Sequence, residues 1–181
     1  MISYRKLIPC IYIAGGKAIK WFNDREVLAD NVVELAKHYS DRGADELLIL
    51  IISILMMITR HLNLLRQIHN VISIPMVAGG NIKRMEDVQR ILYSGAKRVI
   101  LNFSKPDSAE MMAKAAERFG KEKVAVSLDD FDGLFKHQHL IEDNCSQLIF
   151  MHRLDLNSVV AVTDIPCVIV TDTMEELELF K

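Results

Sequence analysis

Seven short apolar runs, most of them separated by segments of helical period, leave this chain few architectures to choose from. They are Leu7–Ile13, Leu47–Ile52, Ile72–Val77, Arg98–Asn102, Lys123–Leu128, Gln147–Met151 and Cys167–Thr171. Strands this continuously apolar belong to parallel sheets that are covered on both faces. Between them, Val32, Leu35, Ala36 and Tyr39 share one helical stripe that stops near Gly43. Ile58, Leu62, Leu65 and Ile68 form a second stripe, and Met85, Val88 and Leu92 a third that ends before Gly95. A fourth helix is expected from Asp107-Ser108-Ala109-Glu110, an acid and a glutamate at capping-box spacing, to Gly120. After that the helical signals shrink. Leu140–Asn144 and Leu156–Val162 allow one or two turns each, and Thr173–Phe180 restarts with Thr173 and Glu176 placed as a cap. Right-handed strand-helix-strand crossovers curl a parallel sheet in one direction. The predicted fold is therefore α/β, a TIM-type (β/α) barrel truncated to about seven strands, because a complete one has eight strands and about 250 residues.

Composition narrows the partners. The 181 residues are 50% hydrophobic and 25% charged with a net charge of −2, which fits one folded domain over 1–181 with a sizeable core. With 22 basic against 24 acidic residues there is no basic surplus to neutralise a phosphate backbone, so nucleic acid is not an expected partner. Cys10, Cys145 and Cys167 have neither CxxC nor zinc-type spacing, and Arg5, Lys6 and Pro9 break the apolar start. The expectation is a cytoplasmic protein without disulfides or a signal peptide. Leu47 to Ile58 is nearly unbroken apolar sequence but falls short of the roughly 20 residues a membrane span needs. It reads as a buried strand running into an apolar loop.

One strand ends in a turn suited to an anion. In Ile74-Pro75-Met76-Val77-Ala78-Gly79-Gly80-Asn81-Ile82, two glycines at a helix entrance let backbone N–H groups approach a phosphate, and the helix dipole favours its charge. That stretch, with Met85-Glu86-Asp87-Val88 and Gly95-Ala96-Lys97-Arg98-Val99-Ile100-Leu101-Asn102, resembles the third and fourth units of the barrel enzymes of histidine biosynthesis. Arg5-Lys6-Leu7-Ile8-Pro9-Cys10-Ile11, Val33-Glu34-Leu35-Ala36-Lys37 and Gly43-Ala44-Asp45-Glu46-Leu47 extend the likeness, which covers residues 5 to about 130. Residues 131–181 are shortened and divergent. The wording is nearest the cyclase subunit of imidazole glycerol phosphate synthase, with the ribotide isomerase of the same family as its sibling.

The resemblance implies a phosphoribosyl-aminoimidazole ligand at the barrel mouth and, in an active member, cyclase (lyase) or isomerase chemistry without a cofactor. The cyclase reaction uses two aspartates on opposite strands as general acid and base. Asp129 matches one of them, at the C-terminal end of its strand, where barrel enzymes place catalytic groups; the competing reading is a loop carboxylate beside Asp130 and Asp132. Tyr12 stands where the other would be, and Ile51 replaces a second-strand aspartate. Gly79, Gly80, Asn81, Asn102 and Lys20 match phosphate or substrate positions, although Lys20 reads equally as a solvated loop lysine. Trp21 replaces a glycine, and Val170-Thr171-Asp172-Thr173 replaces a second phosphate turn. Lys6, Glu46 and Arg98, with Gln147 at a fourth position, match the charged gate that faces the cyclase's glutaminase partner, or else form a compensated charge ring at the barrel base.

Two further patterns have a local reading. His137-Gln138-His139 would put two imidazoles on one face if extended, with Cys145 and His152 downstream, but lacks a third ligand at metal spacing, so no metal is expected. Ile54-Leu55-Met56-Met57 is apolar where the family has a polar mouth loop, which suggests an interface. Two functions stay open. One is a divergent enzyme that binds a phosphorylated small molecule; the other is an inactive relative acting as a binding or assembly protein, a homodimer.

Overall fold

A computed structural model describes residues 6–52, 58–104, 107–151 and 163–170. They divide into two compact units, Met1–Val99 and Ile100–Lys181.

The first unit holds β1 (Cys10–Ala14), β2 (Lys17–Trp21), β3 (Asp24–Ala29), α1 (Val32–Asp41), β4 (Leu47–Ile51), α2 (Ile58–Val71), β5 (Met76–Gly79) and α3 (Met85–Tyr93). Strand order within it is β3-β2-β1-β4-β5. β4 lies parallel to β1, with Cys10 opposite Leu48 and Ile13 opposite Ile51, and parallel to β5, with Leu47 opposite Met76. Ile11, Ile13, Leu47, Leu48, Ile49, Met76 and Val77 are buried, together with Leu65 and Ile68 of α2 and Val88 of α3. α1 starts where Asn31 accepts hydrogen bonds from the N–H groups of Val33 and Glu34, the capping geometry that satisfies two orphan donors.

β6 (Arg98–Asn102) begins at the end of the first unit and continues into the second, which adds α4 (Ser108–Phe119), β7 (Val124–Leu128), α5 (Phe131–Lys136), α6 (Gln138–Asn144), β8 (Gln147–Phe150) and β9 (Cys167–Ile169). Its strand order is β6-β7-β8-β9, with β7-β8 and β8-β9 parallel. Val124, Val126, Leu148, Ile149 and Phe150 are buried with Met112 of α4, Leu134 of α5 and Ile141 of α6. The strand-helix succession is that of a TIM-type barrel.

All seven expected strands are present, and two more precede α1. β2 and β3 are antiparallel, and β1 turns into β2 through Gly15 and Gly16 at φ +61° and +84°. Two consecutive left-handed residues match the right-handed twist of a two-residue hairpin, and only glycine adopts that geometry without strain. Other boundaries move too. The third expected strand starts at Met76 instead of Ile72 because α2 runs on to Val71. The helix expected at Leu140 begins at Gln138 and follows α5, which the sequence reading left out. Asp107 makes no side-chain cap on α4; Ser108 instead donates its hydroxyl to the Asn102 carbonyl, and Glu110 pairs with Lys114 one turn on. Ile54–Met57, His152, Leu156–Val162, Asp172 and Thr173–Phe180 lie outside the described residues.

Candidate functional site

Functional groups in parallel α/β folds gather at the C-terminal ends of the strands, and in the second unit β6 and β7 end in Asn102 and Asp129. Both side chains are exposed. Ser104 links them. Its backbone N–H donates to Asn102 Oδ1 at 2.8 Å, and its Oγ donates to Asp129 Oδ2 at 2.5 Å. Ser108 Oγ donates to the Asn102 carbonyl at 2.5 Å, and the Phe103 N–H donates to the Ser127 carbonyl at 3.0 Å, so the segment after β6 stays bound to β7. Asp130 is occupied differently, accepting the Gly133 N–H at the start of α5. Asp129 is thus not the capping carboxylate. The sequence reading missed Ser104, although its place two residues beyond Asn102 is the spacing at which an asparagine side chain turns back on the chain.

The glycine turn after β5 belongs to the first unit. Gly80 has φ +113° and Asn81 φ +53°, and a Cβ on Gly80 would lie 2.1 Å from the Ile51 carbonyl oxygen. The glycine is therefore required by the close approach of β5 to β4, apart from any ligand. α3 starts only at Met85, and Asp87 Oδ2 accepts the N–H groups of Lys83 and Arg84, each at 3.1 Å. Asp87 thus occupies the N–H groups of the two residues that lead into α3.

Lys20 lies on β2 and not in a loop. Its Nζ is 3.4 Å from Glu26 and 3.8 Å from Asp24, both on β3, because the hairpin sets cations opposite anions. Tyr12, 2% exposed, packs its ring 5.1 Å from that of Trp21, which in turn lies 5.6 Å from Phe22. The position matching the lost carboxylate is therefore an aromatic one under partly exposed rings. On the neighbouring strand β4, Ile51 is buried.

At the opposite strand ends, Arg98 Nη1 donates to Glu46 Oε1 at 2.9 Å, with side chains 16% and 5% exposed. Lys6 is exposed before β1, and Gln147 is buried at the start of β8 in the second unit. His137 and His139 are not extended. His137 separates α5 from α6, and residues two apart on a helix point to different faces, so the imidazoles do not converge. His137 packs instead on Phe103 with ring centroids 5.1 Å apart. Among the described residues no three His, Cys, Asp or Glu side chains form a metal-holding group, and no helix is long and apolar enough to cross a membrane.

Burial sets the state of three further titratable groups. The Cys10 thiol is pushed up to about 12 by burial, partly offset by a hydrogen bond with Tyr12, and Cys145 reaches about 12 chiefly through burial as well. Neither is a thiolate nucleophile at neutral pH. His61 on α2 is held below its usual value, first by burial and then by the neighbouring Arg60 charge.

Comparison with known proteins agrees with this arrangement. A family model described as histidine biosynthesis protein matches residues 6–172. Imidazole glycerol phosphate synthase subunit HisF of Flavobacterium johnsoniae is 36% identical over 127 residues, covering 69% of this chain and 51% of the relative. The same subunit from Saccharolobus solfataricus is 33% identical over 130 residues (71% and 52%), and that from Clostridium botulinum 31% over 132 residues (69% and 50%). The chain spans about half the length of these curated relatives. With a family match over nearly all of its residues and these identities, the chain belongs to the histidine biosynthesis protein family.

Proposed function

We propose that this protein binds a phosphorylated sugar or phosphoribosyl compound through the groups at the ends of β6 and β7. The observation that carries this reading is the joined pair of Asn102 and Asp129, exposed side by side where this fold places its chemistry. With Asn102 Oδ1 taken by the Ser104 N–H, the asparagine NH₂ is left to donate to a ligand oxygen, while the second oxygen of Asp129 is left to accept from a hydroxyl or amine. Within the first unit, the left-handed turn at Gly80 and Asn81 is by itself a second candidate, with backbone donors suited to a phosphate. Lys20 is a weaker candidate because Glu26 and Asp24 already offset its charge.

If the protein turns its ligand over, the reaction is a lyase/cyclase or isomerase step on a phosphoribosyl-aminoimidazole ribonucleotide, with Asp129 as the proton-transfer group. A single carboxylate cannot both give and take protons on opposite faces of one substrate, so the full cyclase reaction needs a partner group that Tyr12 does not supply. Thermal-shift titration with inorganic phosphate, ribose 5-phosphate and aminoimidazole ribonucleotides tests the reading. Saturation at about 100 times Kd stabilises a fold by about 2.7 kcal/mol. The shift with ribose 5-phosphate and the ribonucleotides should be lost in Asn102→Ala; no shift with any of these ligands would sink the proposal.

The second reading is an inactive relative that serves as a binding or assembly protein in the cytoplasm, as a homodimer. What favours it is Tyr12, buried against Trp21 where an active member carries a carboxylate. A monomer in light scattering would remove its assembly part. Docking of a glutaminase on Lys6, Glu46 and Arg98 is a lesser variant, since the Glu46–Arg98 pair already satisfies its own charges.

A further inference from the structure

We infer that Ser104 is the positioning residue of this site, fixing which oxygen of Asp129 meets the ligand. The inference rests on the ligand-binding reading above and names a residue and a ligand chemistry which that reading lacked.

Asp129 is exposed and lies just past the end of β7, beyond the regular strand. An exposed aspartate without a tether samples several side-chain rotamers, and a carboxylate must be held in a narrow range of geometry to accept a proton from a bound group. Ser104 supplies the tether. Its one hydroxyl proton points at Asp129 Oδ2, a charge-assisted contact that is shorter and stronger than a neutral one.

The tether is itself fixed from two sides. The Ser104 backbone is turned by Asn102 Oδ1, and Asn102 is anchored through its carbonyl to Ser108, the first residue of α4. The Phe103 N–H holds the intervening residue to β7. Asn102, Ser104, Ser108 and Asp129 thus form one hydrogen-bonded chain that ends in two groups with no hydrogen bond among the described residues, the Asn102 NH₂ and Asp129 Oδ1. A donor beside an acceptor fits a ligand that offers an acceptor beside a donor. A sugar presenting a ring or ester oxygen next to a hydroxyl does so without charge, whereas inorganic phosphate, although it keeps a P–OH near neutrality, carries one to two negative charges that the carboxylate repels. The geometry therefore assigns Asn102 and Asp129 to the sugar part of the ligand and places its phosphoryl group away from Asp129.

Two measurements test this on the full chain with Ser104→Ala and Ser104→Thr. The first reads the χ1 couplings of Asp129 by NMR. Wild type and Ser104→Thr should show one rotamer, and Ser104→Ala an average; an unchanged rotamer in Ser104→Ala overturns the inference, whatever the ligand. The second measures binding calorimetrically. Ser104→Ala should weaken ribose 5-phosphate about tenfold, the scale of one lost charge-assisted hydrogen bond, and leave inorganic phosphate binding as it was. Ser104→Thr, which keeps the hydroxyl, should restore the affinity. Equal weakening of both ligands would overturn the assignment to the sugar part. Averaged couplings in Ser104→Ala with no ligand bound by wild type would uphold the positioning role and sink the ligand-binding reading.

Discussion

Gly80 has no room for a side chain because the Ile51 carbonyl oxygen would stand 2.1 Å from its Cβ. Backbone lies on both sides of that contact, so no rotamer change relieves it. Gly80→Ala should therefore cost more than the roughly 1–2 kcal/mol of a left-handed non-glycine residue alone. Gly43, also left-handed at φ +85° but with nothing within 4 Å of its missing Cβ, is the control and should show only that smaller loss. Urea denaturation of Gly80→Ala and Gly43→Ala gives the comparison, and equal losses would mean the β4–β5 approach is looser than described. A charged residue at Gly80 would for the same reason report on folding before it reported on phosphate.

Stability should fall as acid is added through the range of His61. Its Nε2 is buried with no hydrogen-bond partner among the described residues, and burial followed by the Arg60 charge lowers its pKa below the usual 6.5. The unfolded chain then binds a proton more readily than the folded one. This contribution is present above about pH 6.5 and is lost as pH drops toward the folded value. His61→Leu should flatten the stability profile between pH 7 and 5 relative to wild type. A profile unchanged in slope would assign the acid sensitivity elsewhere.

The three cysteines should resist alkylation in the folded protein. Cys10 and Cys145 are raised to about 12 and Cys167 to about 11, in each case chiefly by burial. At pH 8 the thiolate fraction of each is on the order of 0.1% or less, and the thiolate is the reacting species. A thiol assay should register three equivalents in denaturant and a slow, sub-stoichiometric signal without it. A fast equivalent in the native state would reveal an opened segment around one of them.

Removing one partner of the Glu46–Arg98 pair should be costly, because a largely desolvated charge then loses its contact at 2.9 Å. For such pairs the loss runs to about 3–5 kcal/mol, whereas an apolar replacement of both is close to neutral. Glu46→Gln should sit near the lower end, since the amide oxygen still accepts, and Glu46→Ala near the upper. The Glu46→Leu, Arg98→Met double variant should recover most of the stability in urea melts. Additive losses in that cycle would show that the two side chains do not depend on each other.

How much of this was legible depended on whether the signal was local. Continuous apolar strands and helical stripes gave the order of β1, β4, β5, β6, β7, β8 and β9, because a strand buried on both faces leaves its mark in every residue. The β1–β2 hairpin was also written in the chain, as Gly15-Gly16 between runs of strand-forming residues, but the expectation of helix after strand hid it. Asn102 and Asp129 were found through a family pattern. Ser104 was not, since its meaning lies in a contact with a residue 25 positions away. Asp107 and Glu110 had the spacing of a cap, yet the Asp107 side chain makes no cap bond and Glu110 pairs with Lys114, while Ser108 bonds the Asn102 carbonyl. The two histidines looked paired only while the segment was taken as extended.

The hairpin also settles which parts of β1 are still open to other strands. Tyr12 and Ile13 have β2 along one edge and β4 along the other, and Ala14 is taken by Lys17, whereas Cys10 and Ile11 are engaged by β4 alone. Any further strand that sought β1 from the hairpin's side, whether from this chain or another, would find main-chain groups to join only at its first residues. The sheet's growth there is limited to a short foothold at the Cys10 end, and the Ala14 end of the strand is sealed by the chain's own next turn.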